Sequence, residues 1–231
     1  MISARHARFL LYIVLASFFP TYTAFTGKVL PRLPTAKEAR KIEQVTPLLL
    51  ATRPEEALEQ AVEALKRTII DEAAGTSNGL KATPQQRDLI AKAVNGLVAL
   101  NPTNDIATSE LATGTWDLIY TTTEGASGGK LGPFIGKVQQ EVHIGEGLYV
   151  NYVRIGPLTG KLEATWEVVN ARQWKVVFKT IVFFLWGQEL IQNELGQAGL
   201  WTLSYLDNDM RVLTARALER DTGNIYVLAR A

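Results

Sequence analysis

From Gly114 onward, apolar residues fall mostly at every second position, the spacing of a strand that buries one face. In 114–123, Trp116, Leu118, Tyr120 and Thr122 alternate with Thr115, Asp117, Ile119 and Thr121. In 161–168, Leu162, Ala164, Trp166 and Val168 face one way, and Lys161, Glu163, Thr165 and Glu167 the other. Strands are expected at about 114–123, 137–145, 147–155, 159–169, 173–185, 198–206, 209–217 and 223–230. Glycine-, proline-, aspartate- and asparagine-bearing links separate them, among them "GASGGKLGP", "GPLTG", "DND" and "RDTGN". Evenly spaced strands with short links predict a mainly β fold, an eight-stranded antiparallel meander that closes into a barrel. The interior of such a barrel is either filled by side chains or holds one small ligand.

One strand departs from simple alternation. In "WKVVFKTIVFFLW" at 174–186, both faces are apolar in the latter half, and Ile181, Phe183 and Leu185 lie opposite Val182, Phe184 and Trp186. Three readings follow. A helix covers this segment, or Ile181, Phe183 and Leu185 dock on a lipid surface, or the strand boundary is misplaced. Its β-branched and aromatic residues and Lys179 argue against a transmembrane helix.

Upstream the period becomes helical. Thr52, Pro54, Glu55 and Glu56 form a start signal, and Leu58, Ala61, Val62, Leu65 and Ile69 recur at helical spacing. A second helix is expected from Thr83–Pro84, with Thr83 as cap, Gln86 three residues on, and Asn101–Pro102 as its end. Each helix has one apolar face and needs a partner.

The first 45 residues have a different character. Arg5, His6 and Arg8 precede the apolar run "FLLYIVLASFF" at 9–19, which is too short to span a bilayer and fits a signal peptide ending near Ala24. A basic stretch follows at 25–41. Seven of the 24 basic residues and two of the 23 acidic ones fall within 1–45, so that stretch carries +5 and the remainder −4. Signal peptide (1–24), transit-peptide-like segment (25–45), helical region (46–105) and barrel (106–231) are the expected divisions. A mildly acidic body is a poor nucleic-acid binder.

Candidate chemistry is sparse. Without cysteine there are no disulfides or thiolate ligands, and outside the leader His143 is the single histidine. Beside Glu141 it makes at best half a metal site, and no Ser–His–Asp set can be built on it with any redundancy. Asp207 and Asp209 flank Asn208 in what reads as a hairpin turn, where such side chains bond the backbone. The glycine-rich 125–132 segment joins strands instead of opening a helix, so it reads as a loop and not a phosphate cradle. No catalytic residue, metal ligand or cofactor is assigned.

The order of several phrases is more telling than any one of them. "GLKATPQQRDLIAKAVNGLVALNP" at 79–102, "ELATGTWDLIYTTT" at 110–123, "GKVQQEVHI" at 136–144, Asn151 in "YVNYVRIG", "LSYLDNDMRV" at 203–212 and "NIYVLAR" at 224–230 resemble the plastid lipid-associated proteins, or fibrillins. The likeness covers about 45–231, although 211–224 is longer than the family's usual turn there. It implies a lipocalin-like barrel, a setting at plastoglobules or thylakoids, and, with the leader, a secondary plastid reached through a bipartite presequence. In such barrels a Gly-x-Trp strand closes one end and an arginine stacks on the tryptophan. Here that implies Gly114 and Trp116, with Arg230 preferred over Arg216 as the stacking partner. Above the plug, Tyr120, Trp166, Phe178 and Trp201 are the expected ligand-lining residues; alternatively they simply fill the barrel.

The implied function is non-enzymatic binding or stabilisation of a small hydrophobic molecule: an isoprenoid quinone, a carotenoid or an acyl lipid. A peripheral lipid-body or thylakoid surface is the second expected partner, without a transmembrane span in the mature chain. One alternative is a structural coat of plastoglobules with a filled barrel. Another is a pigment- or lipid-modifying enzyme whose carboxylates, Glu141 and Glu163, meet across the barrel.

Overall fold

The computed structural model describes residues 54–231. The expected leader, its divisions at 1–24 and 25–45, and the Thr52 start signal lie outside the described residues. Helix α1 runs Pro54–Ala73 and helix α2 Pro84–Ala99. Thr83 caps α2 in a reciprocal box: its hydroxyl accepts from the Gln86 N–H at 3.2 Å, and the Thr83 N–H donates to Gln86 Oε1 at 3.0 Å. Neither helix is long and apolar enough to cross a membrane.

Eleven strands follow: β1 (Gly114–Thr121), β2 (Lys130–Leu131), β3 (Phe134–Ile135), β4 (Lys137–His143), β5 (Leu148–Ile155), β6 (Leu158–Asn170), β7 (Gln173–Leu185), β8 (Gln188–Glu194), β9 (Ala198–Leu206), β10 (Met210–Ala217) and β11 (Asn224–Arg230). Eight of them form the closed antiparallel ring β6-β5-β4-β1-β11-β10-β9-β7, completed by pairing of β6 with β7. β8 pairs with the far half of β7 after β9 leaves it. The 125–136 segment is more than a loop: it carries the small β2–β3 hairpin and a 3-10 turn at Ala126–Gly128 with Ala126 buried.

Three bulges reset the alternation on which the sequence reading relied. Between Leu118 and Tyr120 of β1 the register against β11 shifts by one, so Ile119 is the extra residue and Tyr120 turns outward. On β9 the shift falls at Ser204 and turns Tyr205 outward in the same way. On β7 it falls at Lys179. A single extra residue exchanges the faces of all that follows.

The outward tyrosines form the bed for the helices. Tyr120, Tyr205, Met210, Val212 and Val227 pack against Ile69, Ala73, Ile90, Ala93, Val94 and Leu97 in one buried cluster. The helices therefore cover the outer wall made by β1, β9, β10 and β11. They do not cover the two-sided segment of β7, as one reading of the sequence had it.

An ion cluster fastens α1 to the β9–β10 turn. Lys66 Nζ, almost buried, lies 2.7 Å from Asp207 Oδ2, 3.2 Å from Asp209 Oδ2 and 3.1 Å from Glu63 Oε1. Asp207 also accepts from the Tyr205 hydroxyl and, through Oδ1, from the N–H groups of Asp209 (2.9 Å) and Met210 (2.8 Å). Burial alone would raise the Asp207 carboxyl, but the hydrogen bonds from Lys66, Tyr205 and the two backbone amides outweigh it and hold it below the usual range. Replacing Asp207 by Asn is expected to cost about 3 kcal/mol, since a buried ammonium loses its nearest partner. Because the folded value is depressed, this stabilisation is present above about pH 4 and is lost as pH falls through the lowered value. Urea unfolding of both proteins at neutral and acid pH checks it: the gap between them should close in acid.

Candidate functional site

The two ends of the barrel differ. At one end Trp116 is fully buried and donates its Nε1–H to the Ala112 carbonyl at 3.0 Å. The guanidinium of Arg230 lies 4.2 Å above its ring and that of Arg211 5.2 Å from it, both favourable cation–π placements. Arg230 also donates to the carbonyls of Thr113 (3.1 Å), Leu111 (2.7 Å) and Asn208, tying the loop before β1 to the β9–β10 turn. Gly114 makes this approach feasible: a Cβ there would stand 2.7 Å from Arg230 Nη1, at a φ of +130°. Trp174 reinforces the same end by donating to the Ala107 carbonyl at 2.8 Å. Arg216, the other stacking candidate, stands at the opposite end on β10. Arg211 was not anticipated as a second stacking partner.

At the other end the barrel opens into a cavity of about 130 Å³. Phe178, Ile181, Leu162, Leu195 and Trp201 form apolar walls, and Arg216 and Arg220 belong to the lining near the mouth. The inner end is polar. Gln140 and Asn151 face each other across β4 and β5, and Tyr149 lies two residues further along β5 with its ring edge-on to Trp201 at 4.8 Å.

Of the four expected lining residues, Phe178 and Trp201 face this cavity. Tyr120 does not, because the β1 bulge turns it under the helices. Trp166 lies deeper on β6, stacked on Trp174 at 4.3 Å and 15°, where it belongs to the plugged end. The expected docking residues also move. After the Lys179 bulge, Ile181 and Phe183 fall on the inner side of β7 with Leu162 and are buried, while Leu185 is half-buried. The bulge decides which of the two apolar faces points inward, and leaves Val182, Phe184 and Trp186 on the outer one. What remains exposed is Trp186, 78% open to solvent at the tip of the β7–β8 hairpin, and Phe134, 62% open on β3. Glu141 and Glu163 lie on the outer wall, paired across β5 through Val150, so they do not meet inside the barrel.

The cavity lining contains no carboxylate and no histidine. Among the described residues no group of three or more His, Cys, Asp or Glu is placed to hold a metal ion. Open apolar walls, a polar inner end and a stacked-arginine plug make an arrangement suited to holding a molecule.

Among solved structures, a streptavidin-like protein from Bacteroides eggerthii is similar over 45% of this chain and 70% of that one, at 12% identity and a TM-score of 0.32. No curated protein matches in sequence. The family model PAP_fibrillin matches residues 63–197, more than half of the chain, from the middle of α1 to the start of β9. That family is plastid- and lipid-associated and in general not enzymatic. With the helices, the plugged barrel and this match in hand, the chain belongs to the fibrillin, or plastid lipid-associated protein, family.

Proposed function

We propose that this protein binds a small hydrophobic molecule of the plastid, an isoprenoid quinone, a carotenoid or an acyl lipid, in the open end of its barrel, without catalysing a reaction. The observation that carries the reading is a cavity of about 130 Å³ between apolar walls, plugged at one end and open at the other. Its size limits how the ligand sits. A cavity of about 150 Å³ accommodates a benzene ring, so one end of a long lipid enters and the rest leaves through the mouth. Burial of apolar surface at roughly 25 cal/mol per Å² supplies the affinity. Titration of the full chain with the fluorophore N-phenylnaphthylamine tests this. Saturable one-to-one binding is expected; no binding would favour the coat reading, in which the barrel is only a scaffold.

The same end offers a means of docking at a plastoglobule or thylakoid surface. Trp186 and Gly187 turn the β7–β8 hairpin with φ of 50° and 79°, a two-residue turn that asparagine and glycine adopt at lower cost. A bulky ring is thus held in water at a strained position. The Trp186 N–H donates to the Pro157 carbonyl at 3.0 Å, and exposed Phe134 lies two residues before Gly136, which backs onto Arg154 and Ile155 of the β5–β6 hairpin. Tryptophan favours membrane interfaces. Trp186→Glu is expected to reduce co-flotation with galactolipid vesicles about tenfold while leaving N-phenylnaphthylamine binding unchanged. Delivery to a secondary plastid through the bipartite leader completes the reading.

A further inference from the structure

Below the inner end of the cavity lies a cation that rests on the Trp116 ring and on Gln140 but, among the described residues, forms no ion pair with a carboxylate. Arg211 is fully buried on the inner face of β10, one inward position below the cavity-lining Leu213. Its Nη2 donates to Gln140 Oε1, but Nε and Nη1 are buried without an acceptor. Asn151 Oδ1, beside Gln140, is likewise buried without a donor. Burial pushes the Arg211 guanidinium down to about 10, and the like charge of Arg230 acts in the same direction. A buried cation without a counter-ion is costly, and an apolar ligand would leave it so.

We propose that the cavity receives an amphipathic lipid polar end first, and that this end is a carboxylate met by Tyr149 and Gln140 with Arg211 behind them. This rests on the binding reading above and narrows it to an acyl lipid in free-acid form. Tyr149 and Gln140 both line the cavity, from the neighbouring strands β5 and β4, and Arg211 donates to Gln140. The hydroxyl and amide N–H donate to the carboxylate oxygens, and the guanidinium supplies the opposite charge. Neutral carbonyls would be hydrogen-bonded equally well but would leave the charge unbalanced. The chain then runs outward past Trp201, Phe178 and Ile181 to the mouth.

Decanoate and decanol have the same chain length and differ in the charged end. Displacement of N-phenylnaphthylamine from the full chain by each, at pH 7.5, reads the preference. Decanoate is expected to displace the probe at about tenfold lower concentration, as charge-assisted hydrogen bonds require. Arg211→Met and, independently, Gln140→Leu should erase that preference, the two compounds then displacing the probe at equal concentration. Gln140→Leu keeps the test usable should Arg211→Met fail to fold. Equal potency of the two compounds would overturn the carboxylate assignment and leave apolar binding intact. A preference that survives both variants and disappears in Arg216→Ala would overturn it too, placing recognition at the mouth. Failure of the probe to bind at all would overturn the binding reading itself.

Discussion

Trp116→Ala is expected to destabilise the full chain by about 4 kcal/mol, in the range for removing a buried tryptophan. The ring is fully buried in the main barrel cluster. Its loss leaves more than a void. The Ala112 carbonyl loses its donor, and Arg211 and Arg230 lose the ring face on which they rest. Arg211 has no alternative partner for two of its nitrogens, so its burial becomes still less favourable. Equilibrium unfolding in urea checks the figure. A change below about 1 kcal/mol would mean that the Gly-x-Trp plug is not what closes this end.

The second large effect concerns the cavity. Ala215→Trp is expected to abolish N-phenylnaphthylamine binding, a loss of at least about a hundredfold in affinity, while stability changes by about 1 kcal/mol or less. Ala215 lines the cavity from β10, opposite Trp201 in the β9 register, and is only partly buried. An indole there occupies the space the ligand needs without entering the packed layer around Trp116. Fluorescence titration together with urea unfolding separates a blocked cavity from a damaged fold. Retained binding would place the ligand elsewhere, for instance along the exposed rim at Trp186.

The eight barrel strands were legible because each buries one face and ends in a recognisable turn; every expected boundary falls within two residues of the observed one. Thr83 and Gln86 announced the start of α2 for an equally local reason. What sequence alternation could not carry was the position of bulges. An extra Ile119, Ser204 or Lys179 looks like any other residue in a strand, yet each reverses the facing of its successors. That is why Tyr120 was placed inside the barrel and Ile181 and Phe183 outside it. Strand β8 was missed because "QELIQNE" is largely polar and exposed on both faces, as suits an edge strand. Gln140, Tyr149 and Arg211 fell on plausible strand faces, but their convergence depends on strands distant in sequence. A hint existed: Arg211 sits at an inward-facing position among apolar residues, where an arginine calls for a partner.

The central claim is that the barrel carries a molecule inside it. Native mass spectrometry of the full chain isolated with plastid lipids, beside Ala215→Trp prepared in the same way, tests this most directly. The expected result is a one-to-one adduct of a small hydrophobic molecule on the wild-type protein, absent from the variant and recoverable by organic extraction. Bare protein in both preparations, still floating with lipid particles, would contradict it and make Phe178 and Trp201 ordinary core residues of a coat protein.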